Sequence, residues 1–249
     1  MIKEKKLAGV RLEGSSQNYI LEKIKKYIKN PDGFFHIVSL NPENIVVAQE
    51  NEEFKKALNN AQIRIFDGVG VVLAGRILGV GGLERVTGVD LMEELIKLAD
   101  KFRLRVLLIG GRGNLAKSLA DCYQKNYREA KFFGLEEIKE IKNPKKTEEE
   151  EIFAIVSHFK PHLVFVAFGS PSQELWIERH KEKFSKSVVM GVGGAFDFLA
   201  GQVPRAPRWV RRIGLEWLFR LMIQPWRWRR QTRLLRFVWL VIKEKFNIL

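Results

Sequence analysis

The feature that most constrains this chain is a series of short apolar runs, each halted by glycine, asparagine or aspartate and most followed by a stretch of helical periodicity. FFHIVSL (34–40) stops at Asn41-Pro42, RIFDG (64–68) at Asp67-Gly68, RVLLIGG (105–111) at paired glycines, HLVFVAFGS (162–170) at Gly169-Ser170, and SVVMGVGGAF (187–196) at Gly191, Gly193 and Gly194. KFFGL (131–135) is a shorter candidate. The segments 17–28, 43–58, 91–101 and 115–127 carry apolar residues at helical spacing. Strands that are apolar on both faces must be covered on both faces, so the pattern predicts an α/β fold with a mostly parallel sheet between helices. Open parallel sheets bind ligands beyond the carboxyl ends of their strands. Ser39, Asn41, Asp67, Gly110, Gly111, 169–173 and 191–197 all fall there, and one shared cleft is expected.

Local signals refine this outline. KNPKKTEEEE (142–151) reads as a solvated loop entering a helix with Thr147 as its N-cap, and Ser172 is expected to cap the next helix. The single cysteine, Cys122, is expected to be half-buried in its helix; one thiol makes neither an internal disulfide nor a multi-cysteine metal site.

Charge is placed unevenly. The net charge is +14, and residues 205–249 supply +10 of it, with ten Arg and two Lys against Glu216 and Glu244. The same segment holds five of the six tryptophans. The shift marks a boundary near Pro204 to Pro207, giving a core of 1–204 and a basic, Trp-rich helical appendage of 205–249. Arg220, Arg227 and Arg230 are spaced to share one helix face, although Pro225 starts or kinks a helix at Trp226. Aromatic rings beside arginines suit a lipid interface. The same groups would suit nucleic acid or a plain helical cap on the core; the apolar content favours the membrane and no nucleic acid. No run reaches the ~18 apolar residues of a spanning helix and no secretion signal opens the chain, so the protein is expected to lie on a membrane. A chain ending near Val203 is expected to stay folded and to be inactive.

Several polar residues stand where chemistry could occur. Asp67 ends an apolar run beside glycines, where poor solvation raises a carboxyl pKa and suits a general base; a turn aspartate bonding local backbone is the other reading. Gln173 lies in a first helical turn near the cleft, or simply belongs to a capped helix start. Asp197 follows the glycines of 191–194, where a carboxylate also favours a helix dipole. GGRGNL (110–115) departs from the G-x-G-x-x-G dinucleotide fingerprint, so no NAD is expected. There is no D-x-D pattern, and His36, His158, His162 and His180 are scattered. Neither a metal nor a cofactor has sequence support.

In order, SLNPENIVVAQ, RIFDGVGVV, ERVTGVDLM, VLLIGG, FVAFGSPSQELWI, GVGGAFDFLAG, RAP, GLEWLFRL and QPWRWRR resemble the WecG/TagA/CpsF family of bacterial glycosyltransferases, from about Val38 to Arg230. The resemblance implies a Rossmann-like core and a C-terminal appendage that reaches the inner face of the plasma membrane. It implies metal-independent, inverting transfer from a UDP-sugar to undecaprenyl-diphosphate-linked GlcNAc. In one branch the sugar is N-acetylmannosamine, for wall teichoic acid; others use its uronic acid form or glucuronate, in antigen or exopolysaccharide assembly. Self-association is also known in the family. The family's catalytic aspartate falls on Asp67. Its threonine falls on Ser39, which keeps a hydroxyl, with Asn41 matching the asparagine two residues on; Leu40 departs from a frequent proline. Arg85 matches an arginine that meets the nucleotide sugar, Gln173 and Asp197 match pocket positions, and the appendage arginines fall on Arg220, Arg227 and Arg230. With no metal, arginine is the cation left to offset a departing diphosphate.

Overall fold

The computed structural model describes residues 5–13, 16–136 and 138–246, without the side chains of residues 227 and 229–231. It opens with an antiparallel hairpin, β1 (Lys6–Leu7) and β2 (Val10–Arg11). Helix α1 (Gln17–Lys29) then leads into the main sheet. Its strands are β3 (Phe35–Leu40), β4 (Ile63–Phe66), β5 (Arg105–Gly110), β6 (Lys131–Leu135), β7 (Leu163–Ala167) and β8 (Val188–Gly191). All six run parallel, in the order β4-β3-β8-β7-β5-β6. The connecting helices are α2 (Pro42–Glu50), α3 (Glu52–Asn60), α4 (Val69–Ile77), α5 (Gly88–Lys101), α6 (Leu115–Asn126), α7 (Lys146–Phe159) and α8 (Ser172–Arg179), with the short α9 (Ala195–Leu199) after the last strand.

Successive residues of one strand feed opposite cores, as the period of two requires. Phe35 and Ile37 of β3 join a core with Ile65, Leu91, Leu95, Val106 and Met190, under α1, α5 and α6. Val38 and Leu40 join a second core with Ile45, Phe54, Phe66 and Val71, under α2, α3 and α4. Because every strand points the same way, all the strand ends singled out from the sequence lie along one edge of the sheet.

The structure corrects several local readings. The single helix expected over 43–58 is two, because Asn51 ends α2 and its side chain accepts the Phe54 N–H to start α3. Helix α4 had no counterpart in the sequence reading, since its two glycines mask an apolar helix. Helix α7 begins before Thr147: Glu148 accepts the Lys145 backbone N–H, which makes Lys145 the cap. Ser172 is the first helical residue and Pro171 the cap, with the Leu175 N–H donating to the Pro171 carbonyl. Cys122 is exposed, because α6 turns Leu115, Ala116, Leu119 and Ala120 to the core and position 122 away from it.

The C-terminal segment forms α10 (Arg208–Arg212), α11 (Glu216–Ile223), a 3-10 turn (Pro225–Arg227) and α12 (Trp228–Phe246). Helix α12 lies along α2. Phe237 and Val241 are buried in the second core, Arg233 pairs with Glu43 at 2.5 Å, and Arg236 pairs with Glu50. The far end is tied by Glu244, which accepts the Ala8 N–H, and by Lys245, which donates to the Ile77 carbonyl. The shared helix face expected for Arg220, Arg227 and Arg230 does not form. Pro225 breaks the helix, so these residues sit in α11, the 3-10 turn and α12. The side chains of Arg227 and Arg230 lie outside the described residues. Large apolar side chains stay exposed along the segment, among them Trp209, Trp217, Met222, Trp226, Trp228 and Trp239. Among the described residues no helix is long and apolar enough to cross a membrane.

Candidate active site

Asp67 follows β4, and its backbone N–H donates to the Leu40 carbonyl at the end of β3, which holds the two strand ends together. The chain returns to this edge at Arg85, which bridges Phe66, and the Val86 N–H donates to the Phe66 carbonyl. Helix α5 therefore starts against Asp67. Thr87 caps it: its hydroxyl accepts the Asp90 N–H at 3.2 Å and lies 2.6 Å from the Asp90 carboxylate. The Gly88 N–H donates to the Asp67 carboxylate. A Cβ on Gly88 would lie 3.5 Å from both Asp67 Oδ2 and Ser39 Oγ and 3.6 Å from the Met190 methyl. The carboxylate and the hydroxyl thus both reach the helix start, at ordinary van der Waals distance from that position.

Burial pushes the Asp67 carboxyl up to about 6. The Gly88 N–H and Arg85 pull it down, while Glu216 of α11 and Asp90 push it up. A carboxylate of this kind is ionised near neutral pH and is still a competent proton acceptor.

Asn41 sits on the same rim as the cap of α2, its side chain accepting the Asn44 N–H at 2.9 Å. The Asn44 amide in turn donates to the Ser39 carbonyl at 2.8 Å. Arg85 is beside Asp67 along the chain's return path, but its guanidinium is turned to the C-terminal segment. It donates to the Arg211 carbonyl at 2.5 Å and to Glu216 Oε2 at 3.1 Å.

A second group gathers after β7 and β8. Gln173 is buried, and its side-chain oxygen accepts the N–H groups of Gly169 at 3.1 Å and Gly193 at 3.0 Å. Its amide donates to Glu174 Oε1 at 2.8 Å. Glu174 is itself fully buried, and burial raises its pKa. Gln173 thus fastens two strand-end loops to each other. Arg220 comes from α11 to the same place: its guanidinium lies over the Phe198 ring at 4.7 Å, and a Cβ on Gly194 would be 2.6 Å from its Nη2 and 3.3 Å from Asp197 Oδ2. Strand β8, which carries this second group, is the neighbour of β3, which carries Ser39.

The glycosyl transferase WecG/TagA/CpsF family matches residues 5–248. The chain belongs to that family. It is 31% identical over 223 residues to the N-acetylglucosaminyldiphosphoundecaprenol N-acetyl-beta-D-mannosaminyltransferase of Bacillus subtilis (strain 168), covering 90% of this chain and 84% of the relative. It is 30% identical over 229 residues to the protein of the same name from Staphylococcus aureus (strain NCTC 8325 / PS 47), covering 92% and 87%. The Bacillus spizizenii relative of that name is 32% identical over 219 residues, covering 88% and 82%.

This glycosyltransferase therefore presents, at one sheet edge, a carboxylate of raised pKa beside a hydroxyl and a helix N-terminus, and nearby a guanidinium brought from the C-terminal segment. Sequence reasoning missed Gly88, Thr87, Asp90, Arg205, Glu216 and Phe198. Glu216 lies within GLEWLFRL, but its partner Arg85 is 131 positions away; Thr87 lies within ERVTGVDLM, and its cap on Asp90 is local while its contact with Arg205 is 118 positions away.

Proposed function

We propose that this family member moves N-acetylmannosamine from a UDP-sugar onto undecaprenyl-diphosphate-linked GlcNAc, with inversion, on the inner face of the plasma membrane, as in the assembly of a wall teichoic acid-type polymer. The observation that carries the reading is the Asp67 carboxylate at the strand edge, raised to about 6 by burial and held by the Gly88 N–H. The names of the relatives supply the acceptor and the sugar.

In this mechanism Asp67 takes the proton from the attacking GlcNAc hydroxyl. That oxygen bonds to the anomeric carbon of the donor from the face opposite UDP, and the carbon–oxygen bond to UDP breaks, its electron pair leaving with the diphosphate. Ser39 and Asn41 line the rim beside the base and orient the sugar. Gln173 acts by positioning the loops of 169–173 and 191–194. Arg220, beside Asp197 and stacked on Phe198, offsets phosphate charge, with Arg227 and Arg230 proposed for the same task. The exposed tryptophans of the C-terminal segment, flanked by arginine, rest at headgroup depth and bring the cleft to the lipid-linked acceptor. Cover by that segment excludes water from the donor.

The test is product analysis. The full chain is incubated with a short-chain GlcNAc-diphosphate-lipid and, separately, UDP-N-acetylmannosamine, its uronic acid form and UDP-glucuronate. The expected product carries one added N-acetylhexosamine and forms only with the first donor. A uronate product alone would overturn the sugar assignment, and transfer from none of them would overturn the acceptor as well.

A further inference from the structure

Arg85 and Asp67 lie on adjoining pieces of one sheet edge, through the bridge of Arg85 to Phe66. A guanidinium next to a half-buried carboxylate ordinarily pairs with it, and an aspartate so paired is a poor base. Here the pair is not made. Arg85 gives one nitrogen to the Arg211 carbonyl and another to Glu216 Oε2, and both of these acceptors belong to the C-terminal segment.

The same segment grips the start of α5. Arg205 reaches Asp90 at 2.7 Å, the Thr87 hydroxyl at 3.3 Å, Glu216 at 3.6 Å and Glu93 at 3.8 Å. Arg211 adds a contact to Asp90 at 3.6 Å. Arg85, Arg205 and Glu216 are each about four-fifths withdrawn from water, which keeps their mutual attraction from being screened away. Thr87 and Asp90 frame Gly88, whose N–H meets the Asp67 carboxylate. Polar contacts thus run from α11 to Arg85 beside the base, and through Arg205 and the first turn of α5 to the Gly88 N–H that meets it.

We propose that Glu216 is a positioning residue for transfer, which holds the Arg85 guanidinium away from Asp67 and so keeps the base free to take a proton. This rests on Asp67 being the base. Without the Glu216 carboxylate, Arg85 keeps only the Arg211 carbonyl and is drawn toward the Asp67 carboxylate, on which its charge already acts.

The groups that face Asp67 are the Gly88 N–H, Glu216, Arg85 and Asp90. Removing the Glu216 charge lets Arg85 swing to Asp67, and both changes favour the ionised aspartate. The experiment is the pH–rate profile of the full chain with UDP-N-acetylmannosamine and a short-chain GlcNAc-diphosphate-lipid, for wild type, Glu216→Gln, Arg85→Gln and the double variant, each checked by thermal melting. Glu216→Gln is expected to move the acidic limb of kcat down by about one pH unit or more and to lower its plateau about tenfold, with a smaller change in KM. In the double variant, with no guanidinium left to quench the base, the limb returns toward its wild-type position even where KM stays raised. An unmoved limb in Glu216→Gln, or a displaced limb that Arg85→Gln fails to restore, overturns the proposal. Asp67→Asn run alongside separates the two claims: full activity there removes the base itself, whereas an inactive Asp67→Asn beside an unaltered Glu216→Gln removes only the role of Glu216.

Discussion

Asp67→Asn should trade activity for stability. The folded carboxyl titrates at about 6 against an ordinary 3.8, so between those values the native state holds the proton more tightly than the unfolded chain does. The sign follows from proton linkage: stability contributed by the protonated group is complete below pH 3.8 and is lost as pH rises through about 6. Above that, ionised Asp67 disfavours the fold by at most about 3 kcal/mol, the full shift at about 1.4 kcal/mol per unit, reduced by the partial exposure of the site. Asparagine is never charged and keeps an oxygen for the Gly88 N–H. The variant should therefore be more stable than wild type by ~1–3 kcal/mol near neutral pH, by about half as much near pH 5, and by little near pH 4. In a chain of this size that is a rise in melting temperature of roughly 2–10 °C near neutral pH. Transfer should fall about 10²- to 10⁴-fold, the usual contribution of a general base. Paired thermal melts at the three pH values and initial rates of transfer check it. A variant that loses activity without gaining stability near neutral pH would refute the raised proton affinity of Asp67 in the folded state.

Four further outcomes follow from the packing and exposure of named residues. Gly194→Ala places a methyl against Arg220 Nη2, so the guanidinium must leave its place over Phe198; transfer should drop about tenfold or more with little change in melting, since the far end of an arginine moves easily. Phe237→Ala removes a buried ring that joins α12 to the second core, and should cost about 3–5 kcal/mol in denaturant unfolding. The same packing revises the expectation for a chain ending near Val203: it uncovers Val38-side core residues and is predicted to unfold more readily, which melting against the full chain will read. Replacing exposed Trp226 and Trp228 by serine should leave stability within about 0.5 kcal/mol but weaken flotation with anionic vesicles; unchanged flotation would remove these rings from the membrane contact.

Some local detail escaped the sequence for physical reasons that can be named. Cys122 looked half-buried because its helix is amphipathic, but which side of the stripe it takes depends on where the sheet lies. Thr147 and Ser172 are good caps by type, yet Glu148 reaching back to Lys145 and Gly169 accepting from Gln173 moved both helix starts. The arginine trio was read with helical spacing across Pro225, where the helix does not continue.

The sequence by itself determined the parallel sheet, because strands that must be apolar on both faces and stop at glycine or aspartate have few other folds open to them. It also determined that Asp67 would stand at a strand end, since that is a matter of neighbours in the chain. Only the tertiary structure decided what surrounds that carboxylate. Glu216 and Arg85 are 131 positions apart, Arg205 and Thr87 are 118 apart, and nothing in either local segment encodes the meeting. Burial and charge act through space, so the proton affinity of the base is a property of the packed edge and of the helix that closes over it.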